Sequence, residues 1–194
     1  HLSLRRQRQM CIRDSMTFDL NNPNSIISCI AKARENARAI RESISSEMWE
    51  CLNTIYWAVN SDEAPARYEE SPDDYFYRIM TSSMLFQGLT NQTMAHDQRW
   101  CFTQAAKYLE RIDVTARVIA TRFEVLSKMA TQLDAPIRNI HLMGVLRSCC
   151  SLESYRRLHL ADLDATRIAQ FLILQADYPR SIRFCVEQAR SAME

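Results

Sequence analysis

Glycine is almost missing, with two in 194 residues. Hairpin turns, phosphate-cradling loops and dinucleotide-binding turns need backbone at positive φ, which glycine adopts without strain. The shortage predicts an all-helical chain and excludes nucleotide binding through any glycine-dependent loop. Long apolar runs are missing too, so no membrane-spanning helix is expected. No stretch combines a basic start, an apolar core and a small-residue cleavage site, so no signal peptide is read. Charge of one sign is also missing. The 24 basic and 23 acidic residues balance to +1, which makes no electrostatic case for nucleic acid. Cysteine is present, seven in all, but without a CxxC or Cys/His spacing, so zinc is not expected. With no export signal, reduced buried thiols in a cytoplasm are expected rather than disulfides.

The amino end reads differently from the rest. Gln9-Met10-Cys11-Ile12-Arg13-Asp14-Ser15 back-translates into the transposon mosaic-end adapter of tagmentation libraries, so residues 1–15 are read as adapter-derived. The alternative is a native basic tail, His1-Leu2-Ser3-Leu4-Arg5-Arg6-Gln7-Arg8, able to touch membrane or nucleic acid. With the four arginines and one aspartate of 1–15 set aside, the balance moves from +1 to −2. The native protein is then expected over 16–194, long enough for one domain with a sizeable core.

Hydrophobic spacing follows the helical period along the chain. A first helix is expected from Pro23, with Asn22 as cap and Ile26, Ile30, Ala33, Ala37, Ile40 and Ile44 as its stripe. A second runs from Ser46 through Trp49, Leu52, Ile55 and Tyr56. Glu63 to Pro72 reads as a polar loop. Ser71-Pro72-Asp73-Asp74 then gives a cap, a proline and two acids at the positive end of a helix dipole. That third helix runs through Phe76, Ile79, Met84 and Leu85 to about Gly88. The longest covers Asp97 to Lys128, with Phe102, Ala105, Leu109, Ile112, Ala116, Ile119 and Phe123 as its stripe. Shorter helices are expected over Ile137–Cys150, Leu152–His159 and Ala165–Gln175, and a last one from Pro179. The expected fold is all-α, a single-domain antiparallel array of about seven helices with short connections.

The chain also repeats itself. Pro23-Asn24-Ser25-Ile26-Ile27-Ser28-Cys29-Ile30-Ala31-Lys32-Ala33-Arg34 aligns without a gap with Pro179-Arg180-Ser181-Ile182-Arg183-Phe184-Cys185-Val186-Glu187-Gln188-Ala189-Arg190. Pro, Ser, Ile, Cys, Ala and Arg match, which marks an internal pseudo-repeat.

Several local motifs combine into a resemblance. They are Asn22-Pro23 with Ser25-Ile26, Ala33-Arg34-Glu35-Asn36-Ala37-Arg38, Arg41, and Ile44-Ser45 with Glu47-Met48-Trp49-Glu50 and Leu52-Asn53. Thr93-Met94-Ala95-His96-Asp97, Trp100, Leu109-Glu110-Arg111 with Asp113 and Thr115, Leu146-Arg147-Ser148 and Pro179-Arg180-Ser181 complete the set. Across nearly all of 16–194 the chain resembles the Alpha-E domain family, a bacterial all-helical family named for a Glu-Arg pair. Two departures stand out: Gln98-Arg99-Trp100 where the family pattern has an acid, a glycine and a tryptophan, and Ala106-Lys107 in place of Gly-Arg. The resemblance implies a member lacking its first Glu-Arg helix, whose place the adapter occupies. It also implies a partner, an ATP-grasp-type ligase or a transglutaminase-like protein, and an accessory role in amide-bond chemistry. No catalytic activity of the helical domain follows from it.

The candidate residues divide into two groups. Glu110 and Arg111 lie about 100° apart around one helix and cannot pair with each other. They could bind a partner or ligand, or join a structural network with facing helices. Arg34, Arg38 and Arg41, at i, i+4 and i+7, would present three guanidinium groups along one face, suited to carboxylate or phosphate. The plainer reading is a solvated edge balanced by Glu35 and Glu42. Glu47, Glu50 and Asn53 could extend that face, but without an E-x-x-H or a second carboxylate pair no metal is expected. His96-Asp97 reads as a helix start rather than an acid-base pair, and Trp49, Trp57 and Trp100 as core or interface anchors. Cys149-Cys150 lacks a companion for nucleophilic chemistry. The reading is an interaction or scaffold domain with no cofactor and no catalysis of its own. The alternative is a substrate-binding component using the Arg34/Arg38/Arg41 face. Self-association through a groove left by the missing helix is a further expectation.

Overall fold

The computed structural model describes residues 11–128, 134–160 and 162–194. The basic stretch His1 to Arg8 lies outside them. Among the described residues the chain is helical, with one 3-10 turn and no strand. Helix α1 covers residues 11–18. It is followed by α2 (Ile26–Ala39), α3 (Ser46–Val59), α4 (Ala64–Glu70) and α5 (Pro72–Thr93). Then come α6 (Gln98–Lys128), α7 (Ala135–Ser148), α8 (Leu152–His159), α9 (Ala165–Leu174) and α10 (Ile182–Ser191).

The described residues thus form ten helices where the sequence predicts about seven. One addition is α4, inside the stretch read as a polar loop. Pro65 sits in its first turn, where a missing N–H goes unnoticed, and Arg67 pairs with Glu63 one turn back. The chain also divides into two compact units, His1–Ala95 and His96–Glu194, where a single domain is expected. Each has its own core.

In the first unit α3 packs on α2 and α5, and α4 on α5. Ile27, Ile55, Val59, Ala64 and Tyr75 are buried, with Phe18, Ile30, Tyr68, Phe76 and Ile79 against them. Phe18, Tyr68 and Tyr75 meet ring to ring at 5.3 to 5.7 Å, a spacing at which edge-to-face pairs attract. In the second unit α6 and α9 flank α10, and α7 joins α6 to α8 and α9. Leu142, Val145, Leu146, Leu152, Tyr155 and Ile168 are among its buried residues.

The capping chemistry follows the sequence closely. Ser71 Oγ accepts from Asp74 N at the start of α5. At α2 the cap is Ser25, which accepts from Ser28 N at 3.3 Å. Asn22, the expected cap, instead turns the chain by accepting from Asn24 N at 3.0 Å. Ser181 caps α10 in the same way as Ser25 caps α2, accepting from Phe184 N at 3.1 Å.

The apolar stripes follow it less well. On α6, Phe102 and Leu109 are 63% and 59% exposed, while Gln104, Ala105 and Thr115 are buried. The packed face is rotated from the most apolar one, because α10 packs on α6 and the turn entering α10 supplies carbonyl partners to Arg111 and Thr115. On α2 the buried residues are Ile27 and Ala37, and Ala33 and Ile40 are exposed. Met84 and Leu85 of α5 are exposed as well. The helix itself runs past Gly88 to Thr93.

Candidate functional site

The arginine face lies where α2 meets α3. Spacing explains it: Arg34 and Arg41 are seven residues apart on one segment, and Trp49 and Tyr56 seven apart on the other. Two turns of α3 bring Trp49 and Tyr56 to one side, whereas α2 ends at Ala39, short of the stripe expected to reach Ile44, and Arg41 opens the 3-10 turn Arg41–Ser43 that follows. The Arg34 guanidinium sits 4.6 Å from the Tyr56 ring centre, 5.6 Å from Trp49 and 5.8 Å from Trp57. Its Nε donates to Asn53 Oδ1 at 2.7 Å, and Asn53 Nδ2 donates to the Trp49 carbonyl at 2.9 Å. Arg41 approaches Trp49 at 5.7 Å and donates to the Ile44 carbonyl at 3.3 Å and to Ser46 Oγ at 3.4 Å. Two cations therefore flank one indole, each contact worth about 0.5–2 kcal/mol depending on desolvation.

Of the residues singled out in the sequence, the structure brings Arg34, Arg41 and Asn53 together. It leaves three others apart. Arg38 is 71% exposed and reaches Glu35 at 3.7 Å. Glu47 and Glu50 are exposed on α3 and make no ion pair with a described residue. Trp49 and Tyr56 are the members that the spacing argument missed, although their seven-residue interval was visible. Trp57, read as a core or interface anchor, is exposed.

The Glu-Arg pair sits on the middle turns of α6. Glu110 is exposed. Arg111 is half-buried, with Nη1 donating to the Pro179 carbonyl at 3.5 Å and its guanidinium 5.6 Å from the Tyr108 ring centre. One turn on, buried Thr115 donates to the Arg180 carbonyl at 3.0 Å. Arginine and threonine thus hold the turn that enters α10. Cys185, fully buried in that interface, donates to the same Pro179 carbonyl at 3.5 Å. Burial pushes its thiol up, and burial together with the nearby Arg111 charge lowers Lys107.

Asp97 Oδ1 accepts from Arg99 N at 2.9 Å and from Trp100 N at 3.3 Å, and His96 stacks on Trp100 at 4.1 Å. Buried Cys149 has its thiol pushed up by burial, while Cys150 is exposed. No three His, Cys, Asp or Glu side chains gather at metal-binding distances among the described residues. No helix is long and apolar enough to cross a membrane among them either. A cavity of about 430 Å³ in the first unit, lined by Thr54, Ala58, Arg67, Glu70, Arg78 and Ile79, was not foreseen from sequence. Its lining comes from three helices and carries both charge signs, so no linear motif announces it.

Comparison with known proteins fits this helical picture. The chain is 23% identical over 185 residues to uncharacterized proteins of Mycobacterium bovis and Mycobacterium tuberculosis, covering 93% of this chain and 20% of theirs. It therefore spans about one fifth of the length of these curated relatives. No solved structure matches it significantly. A family model described as a predicted alpha-helical domain with a conserved ER motif matches residues 4–194, and the chain belongs to this family, Alpha-E.

Proposed function

We propose that the chain is a cytoplasmic helical interaction module, built on a duplicated helix-capping unit, that serves an ATP-grasp-type amide ligase and does no chemistry itself. The observation that carries this reading is the closure of the arginine face. Arg34 is hydrogen-bonded to Asn53 at 2.7 Å and stacked on Tyr56 at 4.6 Å, and Arg41 is turned onto Trp49. The Arg34 Nε that a fork-on carboxylate would use is already bonded to Asn53 across α2 and α3, and its Nη1 already pairs with Glu35 at 3.4 Å. The ligase follows from the family resemblance, with a transglutaminase-like protein as the other candidate partner. Relatives about five times as long leave room for a catalytic domain in the same polypeptide.

The competing reading makes this face the substrate-binding part of a peptide- or amide-forming enzyme. It is favoured by Arg38, whose side chain is 71% exposed. Both are tested in a full-length relative co-expressed with its ligase, with ATP-dependent amide formation as the readout. Replacing the Arg34, Arg38 and Arg41 equivalents by Gln removes the three positive charges while keeping much of each side chain for packing. An intact complex with unchanged amide formation is the expected result. An intact complex whose amide formation collapses assigns the face to substrate, and failure to co-purify removes the ligase as partner.

A further inference from the structure

Two helices of this chain begin alike but are covered on opposite sides. Ser25 and Ser181 are both fully buried caps, and the thiols of Cys29 and Cys185 both turn back to the proline carbonyl six residues earlier, at 3.8 and 3.5 Å. In α10 the side carrying Cys185, Gln188, Ala189 and Ala192 is buried or half-buried, and α6 is its main neighbour. At the matching positions of α2, Cys29, Lys32, Ala33 and Asn36 are all exposed. The other side shows the reverse. Ile27, Ile30 and Arg34 of α2 are buried or half-buried, while their counterparts Arg183, Val186 and Arg190 are 55%, 50% and 77% exposed.

We infer that the Cys29 side of α2 is a docking site for a second Glu-Arg-type helix, supplied by polypeptide outside this chain and carrying an arginine followed four residues later by a threonine. The chemistry is read from α6. There Arg111 and Thr115 satisfy the carbonyls of Pro179 and Arg180, and the small side chains of Cys185 and Ala189 lie on the covered side of α10, which packs on α6. Pro23 and Asn24 hold the same register before α2, and Cys29 and Ala33 supply the same small residues. The incoming arginine meets the Pro23 carbonyl and the threonine hydroxyl the Asn24 carbonyl. A second copy of this chain is the poorer occupant, because its own α6 already holds α10 through those two side chains. Docking here does not require the ligase proposed above, so either can fail alone.

The test uses the full chain and a synthetic peptide of α6, Trp100 to Arg117. Alkylation of each cysteine is followed by peptide-mapping mass spectrometry. The expected result is a several-fold slowing at Cys29 with saturating peptide, no change at exposed Cys150, and no protection from a peptide carrying Arg111→Ala and Thr115→Ala. The same helix fused ahead of the full chain through a Gly/Ser linker removes weak affinity as a reason for failure, since tethering raises effective concentration. Cys29 left reactive in that fusion overturns the inference. So does equal protection by the parent and substituted helices, or Cys29 protection that rises with protein concentration in the absence of peptide.

Discussion

Trp49 is gripped by two arginines, and the two are not equivalent. Arg34 joins a hydrogen bond, three aromatic faces and partial burial, whereas Arg41 touches one ring and weaker acceptors. Arg34→Ala should lower unfolding free energy by about 2 kcal/mol, the sum of a charged hydrogen bond and a partly desolvated cation–π contact. Arg38→Ala should stay within about 0.5 kcal/mol, as exposed positions do. Urea denaturation of both variants checks the difference. At the end of α7, Cys150 takes φ 53° while Ser151 N reaches back to the Leu146 carbonyl at 2.8 Å and Cys150 N to the Arg147 carbonyl at 2.9 Å. This is the helix ending that glycine usually supplies. Cys150→Gly should therefore raise the denaturation midpoint, by about 1 kcal/mol in stability.

The phenol of Tyr178 adds a pH prediction. It donates to the Cys149 carbonyl at 2.8 Å, and burial pushes it up to about 12 from the usual value near 10. Below about pH 10 it is protonated in folded and unfolded chains alike, so its contribution is fully present. Between about 10 and about 12 only the unfolded chain ionises, and stability falls as pH rises. Denaturation midpoints across that range should decline less steeply in Tyr178→Phe, which at neutral pH loses about 1 kcal/mol for the missing hydrogen bond.

At the level of elements, serine caps were legible and apolar faces were not. A cap is a local event, decided by one hydroxyl and an N–H three residues on, so Ser71 is identifiable at sight. Even so, Asn22 competed with Ser25, since either side chain can serve a backbone N–H nearby. Ser181→Ala removes a buried cap whose hydroxyl also bonds the Gln175 carbonyl. It should cost about 1–2 kcal/mol and raise hydrogen exchange in the first turn of α10 before the rest of the second unit. Which side of a helix is buried depends instead on its neighbour. Phe102 and Leu109 form the most apolar line on α6 and stay exposed, because α10 meets the side carrying Arg111 and Thr115.

For the molecule as a whole, two cores replace the single one that length suggests. Leu146 is fully buried in the second unit, and Leu146→Ala should cost about 2–5 kcal/mol through lost transfer energy and the remaining cavity. If each core holds its own unit, hydrogen exchange should quicken across 96–194 and much less across 1–95. Equal acceleration in both would mean that they unfold together.

Composition and short-range pattern by themselves settled the helical class, the family and most helix starts. Those properties depend on φ preferences, period and capping within a few residues. Tertiary structure alone decided the division into two units, the rotation of α6 toward its polar side and the turning of Arg34 and Arg41 onto Trp49. Each of these depends on which surfaces meet across long stretches of chain, and a linear pattern carries no record of that.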